Sequence, residues 1–366
     1  MSQRAIPCFL MRGGTSKGPF FTFDDLPSDP ALRDRVLLRM LGSPDKRQID
    51  GIGGAHPLTS KVGMVRASHE TGTDLEFLFA QLQPDKDTVD TKPNCGNMLA
   101  AVVPFALERA LVQAQGDTST FRVLTLNTGM YADITVQTPG GRITYDGDAR
   151  IDGVPGTSAP VNIRFLDTEG SVCGSLLPTG AIKDVFALPD GRQIEATCID
   201  NGMPMVLLRA ADVQRSGHES VADLNGDTEL KALLEALRLQ AGEKMALGDV
   251  AEKNYPKMCL LAEPHAGGHI ATRCFIPHVC HEAIGVLAAV TVATACVLPD
   301  SVAQGLTAPR SKDAAFSVEH PSGEFSVSLD LDSAGNVQSA ALLRTARLLM
   351  KGEAMIPETL WRGEQP

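Results

Sequence analysis

Residues 93–107 read PNCGNMLAAVVPFAL, and this stretch decides the fold. The run of apolar residues predicts a helix that continues to about Val112. Asn94 is the expected N-cap of this helix, and Cys95 is expected in its first turn. Because nearly every face of the helix is apolar, the surrounding chain has to enclose it.

A second apolar run repeats the pattern of the first. Residues 97–103 read NMLAAVV, and residues 285–291 read GVLAAVT. Strand-like segments lie on both sides of each run, so each half of the chain is expected to place a sheet around one helix. The sequence therefore predicts an α+β fold of two similar domains, each with a curved β-sheet wrapped around a central helix. The active site is expected in the cleft between the domains, where the two helices begin.

The domain boundary is expected at residues 153–160, which read GVPGTSAP. A segment rich in glycine and proline is typical of a crossing between domains. We therefore expect an N-terminal domain of residues 1–152, completed by the C-terminal segment 346–366. The C-terminal domain is expected to span residues 153–345.

Local patterns predict the remaining elements. A turn at residues 139–141 is expected between hairpin strands. Helices are predicted at residues 31–42, 228–240 and 284–297. Strands are predicted at residues 7–11, 18–21, 58–65, 75–82, 120–127, 132–138, 161–167, 194–199, 204–209, 258–262 and 325–331, with a strand or short helix at 340–349.

The composition limits the partners of the protein. The 366 residues are 43% hydrophobic and 21% charged, which is enough apolar material for packed cores. The net charge is −11, and no long block of Lys or Arg occurs, so nucleic acid and anionic membranes are not expected partners. A small anionic substrate remains compatible, because a local basic pocket can lie in an acidic protein. The longest apolar stretch, residues 283–298, is too short for a membrane span and predicts a buried helix.

The cysteines and histidines argue against a disulfide framework and a metal site. The eight cysteines are scattered without a CxxC pair, and the N-terminal residues MSQR do not begin a signal peptide. Free thiols in the cytoplasm are therefore expected. His265 and His269 are four residues apart, but Gly267 and Gly268 between them make a helical pair of ligands doubtful. No metal is expected.

Cys95 is the first candidate for chemistry. The start of a helix carries unpaired N–H groups and partial positive charge, which stabilise a thiolate and can also hold a substrate carboxylate. The alternative is a buried structural thiol, which is the commonest fate of cysteine. Asn94, Gly96 and Asn97 favour a functional site, because they supply backbone access and polar side chains around the sulfur.

Lys61 is the second candidate. It lies in an apolar segment, and desolvation in a closed cleft would suit its amine to work as a general base. The alternative is a lysine on an edge strand that faces solvent.

Residues 12–18, RGGTSKG, form the third candidate. They do not match a phosphate-binding Walker loop, but their backbone N–H groups could form a nest for an anion beside Thr15, Ser16 and Lys17. The alternative is a plain hairpin turn. Residues 51–56, GIGGAH, likewise fail the dinucleotide fingerprint, because their sixth residue is histidine.

Six motifs occur together in this sequence: residues 12–18 (RGGTSKG), 50–54 (DGIGG), 60–61 (SK), 94–97 (NCGN), 153–157 (GVPGT) and 176–180 (LLPTG). Together they resemble the PrpF-type isomerases, which have the diaminopimelate epimerase fold. The resemblance covers about residues 5–350 and implies catalysis by Lys61 and Cys95 with no metal and no organic cofactor.

The resemblance implies an isomerase of an unsaturated di- or tricarboxylate. Lys61 and Cys95 would exchange a proton between two substrate positions through an enolate that nearby donors stabilise. Residues 50–61 and 94–109 are most similar to members that act on 4-oxalomesaconate in gallate degradation, whereas neighbouring members isomerise 2-methylaconitate or methylitaconate. A homodimer is also expected from the resemblance. The expected substrate-binding residues are Thr15, Ser16, Lys17, Ser60, Asn94, Gly96, Asn97, Arg273 and His281.

Arg273 and His281 are expected near the start of the second apolar helix, where they would bind a distal carboxylate. Two further functions remain open. The first is an epimerase that uses two cysteines, Cys95 and Cys280, as base and acid. The second is a non-catalytic accessory protein that binds an aconitase-type enzyme or its anionic ligand.

Overall fold

The computed structural model describes residues 2–92, 94–188, 191–309, 315–333 and 337–363. Its helices are α1 (Pro30–Leu41), α2 (Gly96–Leu99), α3 (Val102–Glu108), α4 (Val221–Gly226), α5 (Thr228–Lys244) and α6 (Val286–Val297). Its strands are β1 (Gln3–Gly13), β2 (Ser16–Thr22), β3 (Lys61–Ala67), β4 (Leu75–Leu82), β5 (Val89–Asp90), β6 (Thr118–Thr125), β7 (Met130–Gln137), β8 (Pro160–Phe165), β9 (Asp184–Ala187), β10 (Gln193–Asp200), β11 (Pro204–Arg209), β12 (Lys257–Ala262), β13 (Ile270–Phe275), β14 (Phe316–His320), β15 (Gly323–Leu331) and β16 (Val337–Pro357).

The chain divides into two units. The first comprises Met1–Leu166 and Leu343–Pro366, and the second comprises Asp167–Leu342. The expected boundary at residue 153 lies earlier than this division, because β8 pairs antiparallel with β7 and so belongs to the first sheet. Residues 364–366 of the expected C-terminal segment lie outside the described residues.

The first unit contains a mixed sheet. β2 pairs antiparallel with β1 and parallel with β3. β3 pairs antiparallel with β4, and β4 pairs parallel with β6. β6, β7 and β8 continue the sheet as antiparallel neighbours, and residues 346–357 of β16 pair with β1.

Two adjacent phenylalanines show which helix covers each face of this sheet. Neighbouring residues of a strand point to opposite faces. Phe20 of β2 lies 5.6 Å, between ring centroids, from Phe105 of α3. Phe21 instead belongs to the apolar cluster that includes Val36 and Leu37 of α1. The sheet therefore lies between α1 on one face and α3 on the other.

The apolar helix of the first unit is interrupted, which corrects the expected continuous helix. Pro104 has no N–H to donate to the carbonyl four residues earlier, so the chain forms two short helices, α2 and α3. α3 ends at Glu108, and Ala110 follows with a left-handed φ of 54°, so the helix does not reach Val112. Cys95 is the N-cap of α2, and Asn94 lies outside the helix.

Two expected strand features also differ. The segment before Lys61 forms a 3-10 turn at Pro57–Thr59, so the strand expected at 58–65 starts three residues later. The loop that joins β6 to β7 lies at residues 126–129, where Gly129 adopts a φ of 70° that favours glycine. Residues 139–141 form a 3-10 turn after β7 and do not join these two strands.

The second unit contains a sheet with a helix on each face. β9 to β12 are consecutive neighbours, β12 pairs antiparallel with β13, and β14 and β15 follow. Met258 of β12 packs in the cluster that includes Leu230 and Leu234 of α5. Lys257 points to the other face, where its amine lies 3.4 Å from the position of a Cβ on Gly285, the N-cap of α6.

α6 is the central apolar helix of the second unit, as expected. Its residues 288–295 are buried, and Thr294 accepts a hydrogen bond from Asn201. Among the described residues, no helix is long and apolar enough to cross a membrane. All eight cysteines fall within the described ranges and are free thiols, as expected.

Candidate functional site

The turn of residues 12–18 contacts the start of α2. A Cβ on Gly13 would lie 2.2 Å from the main-chain oxygen of Asn97, and one on Gly14 would lie 2.1 Å from its side-chain oxygen. The Asn97 amide donates a 3.0 Å hydrogen bond to the Thr15 hydroxyl. Only glycine permits this approach, so two motifs that are far apart in the sequence form one structure.

Lys61 belongs to the same cluster. A Cβ on Gly18 would lie 1.8 Å from the Lys61 carbonyl oxygen and 3.3 Å from the methyl group of Met98 in α2. The 12–18 turn therefore touches both the backbone of Lys61 and the helix that begins after Cys95. The three candidates of the sequence meet in the first unit.

The Lys61 side chain is enclosed. It is 7% exposed, and β3 is paired on both sides, so the alternative of a solvent-facing edge lysine is wrong. The amine donates a hydrogen bond to the side-chain oxygen of Gln81. It also lies 5.0 Å from the centre of the Phe79 ring.

Gln81 was not predicted from the sequence. It is directly opposite Lys61 in the antiparallel pair of β3 and β4. A lone glutamine in a strand carries no motif, and only the register of the two strands brings it to the lysine. No local sequence signal could have identified it.

Cys95 is half-buried at the start of α2. Its backbone is extended, with φ −134° and ψ 97°, and its carbonyl accepts the N–H of Leu99 at 2.9 Å. The first N–H groups of a helix have no acceptor within the helix, so those of Gly96 and Asn97 are available to an anion. Because α2 has only four residues, these local N–H groups matter more than a helix dipole.

Asn94 and Ser16 each present a polar atom without a partner among the described residues. The Asn94 amide donates to the hydroxyls of Thr128 at 2.5 Å and Thr125 at 3.3 Å, but its oxygen is buried and unpaired. The Ser16 hydroxyl is likewise enclosed and unpaired. Buried polar groups are normally hydrogen-bonded, so these two atoms are candidates for ligand contacts.

Arg12, Lys17 and Arg347 place positive charge at the 12–18 turn. Arg12 donates 3.0 Å hydrogen bonds to the carbonyls of Gly14 and Thr345, which holds the turn in place. Arg12 is directly opposite Arg347 in the β1–β16 pair. Burial and the charge of Arg347 lower the pKa of Arg12, because both disfavour its charged form. A bound anion would offset the repulsion between the two guanidinium groups. Lys17 is half-exposed in the same turn.

Ser60 has a structural role. Its enclosed hydroxyl lies 2.8 Å from the side-chain oxygen of Gln48 and 2.9 Å from the His56 carbonyl. Gln48 in turn accepts the N–H of Ala55 at 2.8 Å. These bonds support the glycine-rich segment before β3 and argue against the expected contact between the Ser60 hydroxyl and substrate.

Arg273 lies on the opposite face of its sheet from the start of α6, which corrects the sequence expectation. It is directly opposite Leu260, which packs against α5. Arg273 is 6% exposed and donates to the carbonyls of Glu219 at 2.8 Å and Thr272 at 2.9 Å. Burial lowers its pKa. It lines a cavity of about 420 Å³ together with His218, Glu219, Ser220, Val221, Glu282, Pro321 and Ser322.

Lys257 occupies the place expected for Arg273. Its amine lies beside Gly285, and burial lowers its pKa. His281 lies four residues before Gly285 in the chain, and desolvation and the charge of Lys257 lower the pKa of its ring. The expected contact of His281 with a substrate carboxylate stays a prediction.

Cys280 is a structural thiol. It is 2% exposed and packs in the core that includes α5. Burial raises its pKa to about 11, and its N–H donates to the Asn225 side chain at 2.7 Å. A thiol that holds its proton in an apolar core is unsuited to be the second base of an epimerase.

The two histidines considered as metal ligands each contact a residue of β14. The His265 ring lies 3.4 Å from the carboxylate of Glu319, and the His269 ring accepts the N–H of Ser317 at 2.8 Å. Within the described ranges, no group of three or more His, Cys, Asp or Glu side chains could hold a metal ion.

Comparison with known families and proteins gives a consistent result. The family described as PrpF protein matches residues 3–357. The 4-oxalomesaconate tautomerase of Pseudomonas putida is 52% identical over 366 residues, which is 100% of both chains. The (4E)-oxalomesaconate Delta-isomerase of a Novosphingobium species is 53% identical over 353 residues, which is 96% of this chain and 98% of the relative.

Solved structures give the same fold. The crystal structure of a methylitaconate-delta-isomerase has a TM-score of 0.88 at 33% identity and covers 98% of this chain and 97% of its own. A hydroxyproline epimerase from Agrobacterium vitis has a TM-score of 0.50 at 13% identity, with 96% and 93% covered, and shares the fold alone. The expected α+β, diaminopimelate epimerase-like fold is confirmed.

Proposed function

Because the chain belongs to the PrpF protein family, we propose that it is an isomerase of an unsaturated keto tricarboxylate, with 4-oxalomesaconate as substrate. The observation that carries this proposal is the meeting of Lys61 and the Cys95 helix on the 12–18 turn. Relatives at 52% and 53% identity whose names specify oxalomesaconate support the choice of substrate.

The reaction needs one proton to leave and one to return. Lys61 or Cys95 removes a proton from a carbon next to the conjugated carbonyl system, and the electron pair of the broken C–H bond spreads into a dienolate. The other residue gives a proton to a different atom of that system. The double bond has then moved, the composition is unchanged, and no oxidant or reductant is consumed.

The dienolate carries one more negative charge than the substrate. Preorganised donors at the developing charge lower the barrier, and removal of one such donor typically costs about 100- to 1000-fold in rate. The N–H groups of Gly96 and Asn97 and the unpaired Ser16 hydroxyl are the proposed donors. Arg12 and Lys17 would attract the carboxylates of the substrate through their charge.

The setting of the reaction is also proposed. A tautomerase for 4-oxalomesaconate would act in the degradation of gallate and related aromatic acids. A cytoplasmic location fits the eight free thiols, because a reducing compartment keeps them free. We further propose that the side chains of the chain do the chemistry without a cofactor, and that the protein is a homodimer.

A panel of substrates tests the proposal. The kcat/KM of wild type is measured with 4-oxalomesaconate, 2-methylaconitate and methylitaconate, and Lys61→Ala is the inactive control. We expect 4-oxalomesaconate to be preferred over methylitaconate by 100-fold or more, because cationic groups that recognise the third carboxylate are left unpaired by a dicarboxylate. It should also be preferred over 2-methylaconitate, which has three carboxylates but lacks the keto group whose oxygen receives the developing charge. Preference for methylitaconate would support the activity named for the structural relative instead. No turnover of any of these acids would contradict the isomerase proposal.

A further inference from the structure

Gln81 is held in one orientation by the backbone around it. Its amide nitrogen lies 2.8 Å from the carbonyl of Leu82, 3.0 Å from that of Pro57 and 3.3 Å from that of Ser60. An amide nitrogen has two hydrogens, so both are used. A flipped amide would place its oxygen against these carbonyls and its hydrogens against the Lys61 amine. The side-chain oxygen must therefore point at Lys61.

The Lys61 amine is restrained on a second side. Phe79 is two residues before Gln81 on β4, so both side chains lie on one face of the sheet. The backbone of Phe79 is fixed by Asn127, which accepts its N–H at 2.9 Å and donates to its carbonyl at 2.8 Å. The Phe79 side chain is buried, so packing around it restrains the ring, whose centre lies 5.0 Å from the amine nitrogen.

We propose that Gln81 is a positioning residue for Lys61. Its oxygen accepts a hydrogen bond from the Lys61 amine and so fixes the torsions of the lysine side chain. The other hydrogens or the lone pair of the amine nitrogen then face substrate. This inference rests on the proposed function, because it assigns Lys61 a role in proton transfer. A misplacement of about 1 Å at a reacting group can cost about 100-fold in rate, which is the scale of effect expected here.

Kinetics of two variants test this role. Gln81→Leu removes the acceptor, and we expect kcat per folded enzyme to fall 10- to 100-fold while KM changes less than about threefold. Gln81→Glu keeps an oxygen opposite the amine and adds negative charge, so it should recover part of kcat. The limb of the pH profile that Lys61 governs should move to higher pH in Gln81→Glu, because a nearby carboxylate favours the charged amine.

Gln83→Leu is the matched control. Gln83 lies two residues further along the chain, is half-buried, and its side chain has no described contact with Lys61. It should retain the kcat and pH profile of wild type. If Gln81 only stabilised the fold, Gln81→Leu would lower the melting temperature while the active fraction kept normal kcat, and the pH profile of Gln81→Glu would match wild type. That result would overturn the proposal.

A measurement without turnover separates this inference from the proposed function. The rate at which acetic anhydride acetylates Lys61 is followed by mass spectrometry in wild type, Gln81→Leu and Gln83→Leu. We expect the amine freed by Gln81→Leu to react at a rate at least threefold different from wild type, with Gln83→Leu unchanged. Equal rates in all three proteins would refute the positioning role even if no substrate were turned over. If wild type turned over none of the acids while the acetylation rates of the three proteins differed as expected, only the proposed function would be contradicted.

Discussion

Gly18→Ala should disable the enzyme through the backbone of Lys61. The new methyl carbon would lie 1.8 Å from the Lys61 carbonyl oxygen, and contacts under 3.0 Å do not occur at real Cβ atoms. One of the two strands must therefore move by about 1.2 Å, which is the difference between these distances. A shift of about 1 Å at a reacting group costs about 100-fold in rate, which corresponds to about 2.7 kcal/mol of activation free energy. Overpacking of this kind also costs about 1–3 kcal/mol of unfolding free energy.

Steady-state kinetics with 4-oxalomesaconate and urea unfolding measure both effects of Gly18→Ala. Gly352→Ala is the matched control, because Gly352 also lies in a strand and its new methyl carbon would be 3.8 Å from the nearest atom, a side-chain methyl group of Met350. The control should keep wild-type kcat and lose less than about 1 kcal/mol of unfolding free energy. Wild-type kcat and stability in Gly18→Ala would refute the argument that the turn sets the position of Lys61.

Two further variants examine other parts of the account. Asn97→Ala removes the 3.0 Å hydrogen bond to Thr15, so it should lose about 1 kcal/mol of unfolding free energy and raise KM several-fold; an unchanged KM would argue against a role of this helix start in binding. Cys280→Ala should keep wild-type kcat, and an inactive but folded variant would revive the two-cysteine epimerase. The folded protein holds the Cys280 proton up to a pKa of about 11, whereas an unfolded thiol releases it near 9.0, so this thiol destabilises the wild type as pH rises through that window. The unfolding free energy of wild type, measured in urea, should therefore fall by about 2 kcal/mol relative to that of Cys280→Ala between pH 8.5 and 10.5. If the unfolding free energies of the two proteins changed in parallel with pH, the burial of this thiol would be contradicted.

The parts of the site that carry a local signal could be predicted from the sequence. The glycines of the 12–18 turn, the polar residues around Cys95 and the lysine in an apolar segment each form a recognisable motif. The interruption of the apolar helix could also have been predicted, because Pro104 removes a backbone donor. The continuous apolar run favoured a single helix instead.

Strand register could not be read from the sequence, and it decides the remaining features. The partner of Lys61 depends on which residue of β4 is opposite it, and that residue is Gln81. A shift of one residue reverses the face on which a strand residue lies. Arg273 and Lys257 show the same effect, since their places on β13 and β12 put Lys257, and not the expected arginine, beside the start of α6.

Proton NMR in deuterium oxide tests the central claim most directly. Wild type, Lys61→Ala and Cys95→Ala are each incubated with 4-oxalomesaconate, and circular dichroism confirms that both variants are folded. The account predicts that wild type isomerises the substrate and places solvent deuterium on the atom that is reprotonated, because one residue removes a proton and another, exchanged with solvent, returns one. Both variants should lose most of the turnover. Isomerisation by either folded variant at the wild-type rate would contradict the claim that Lys61 and Cys95 carry the proton transfer.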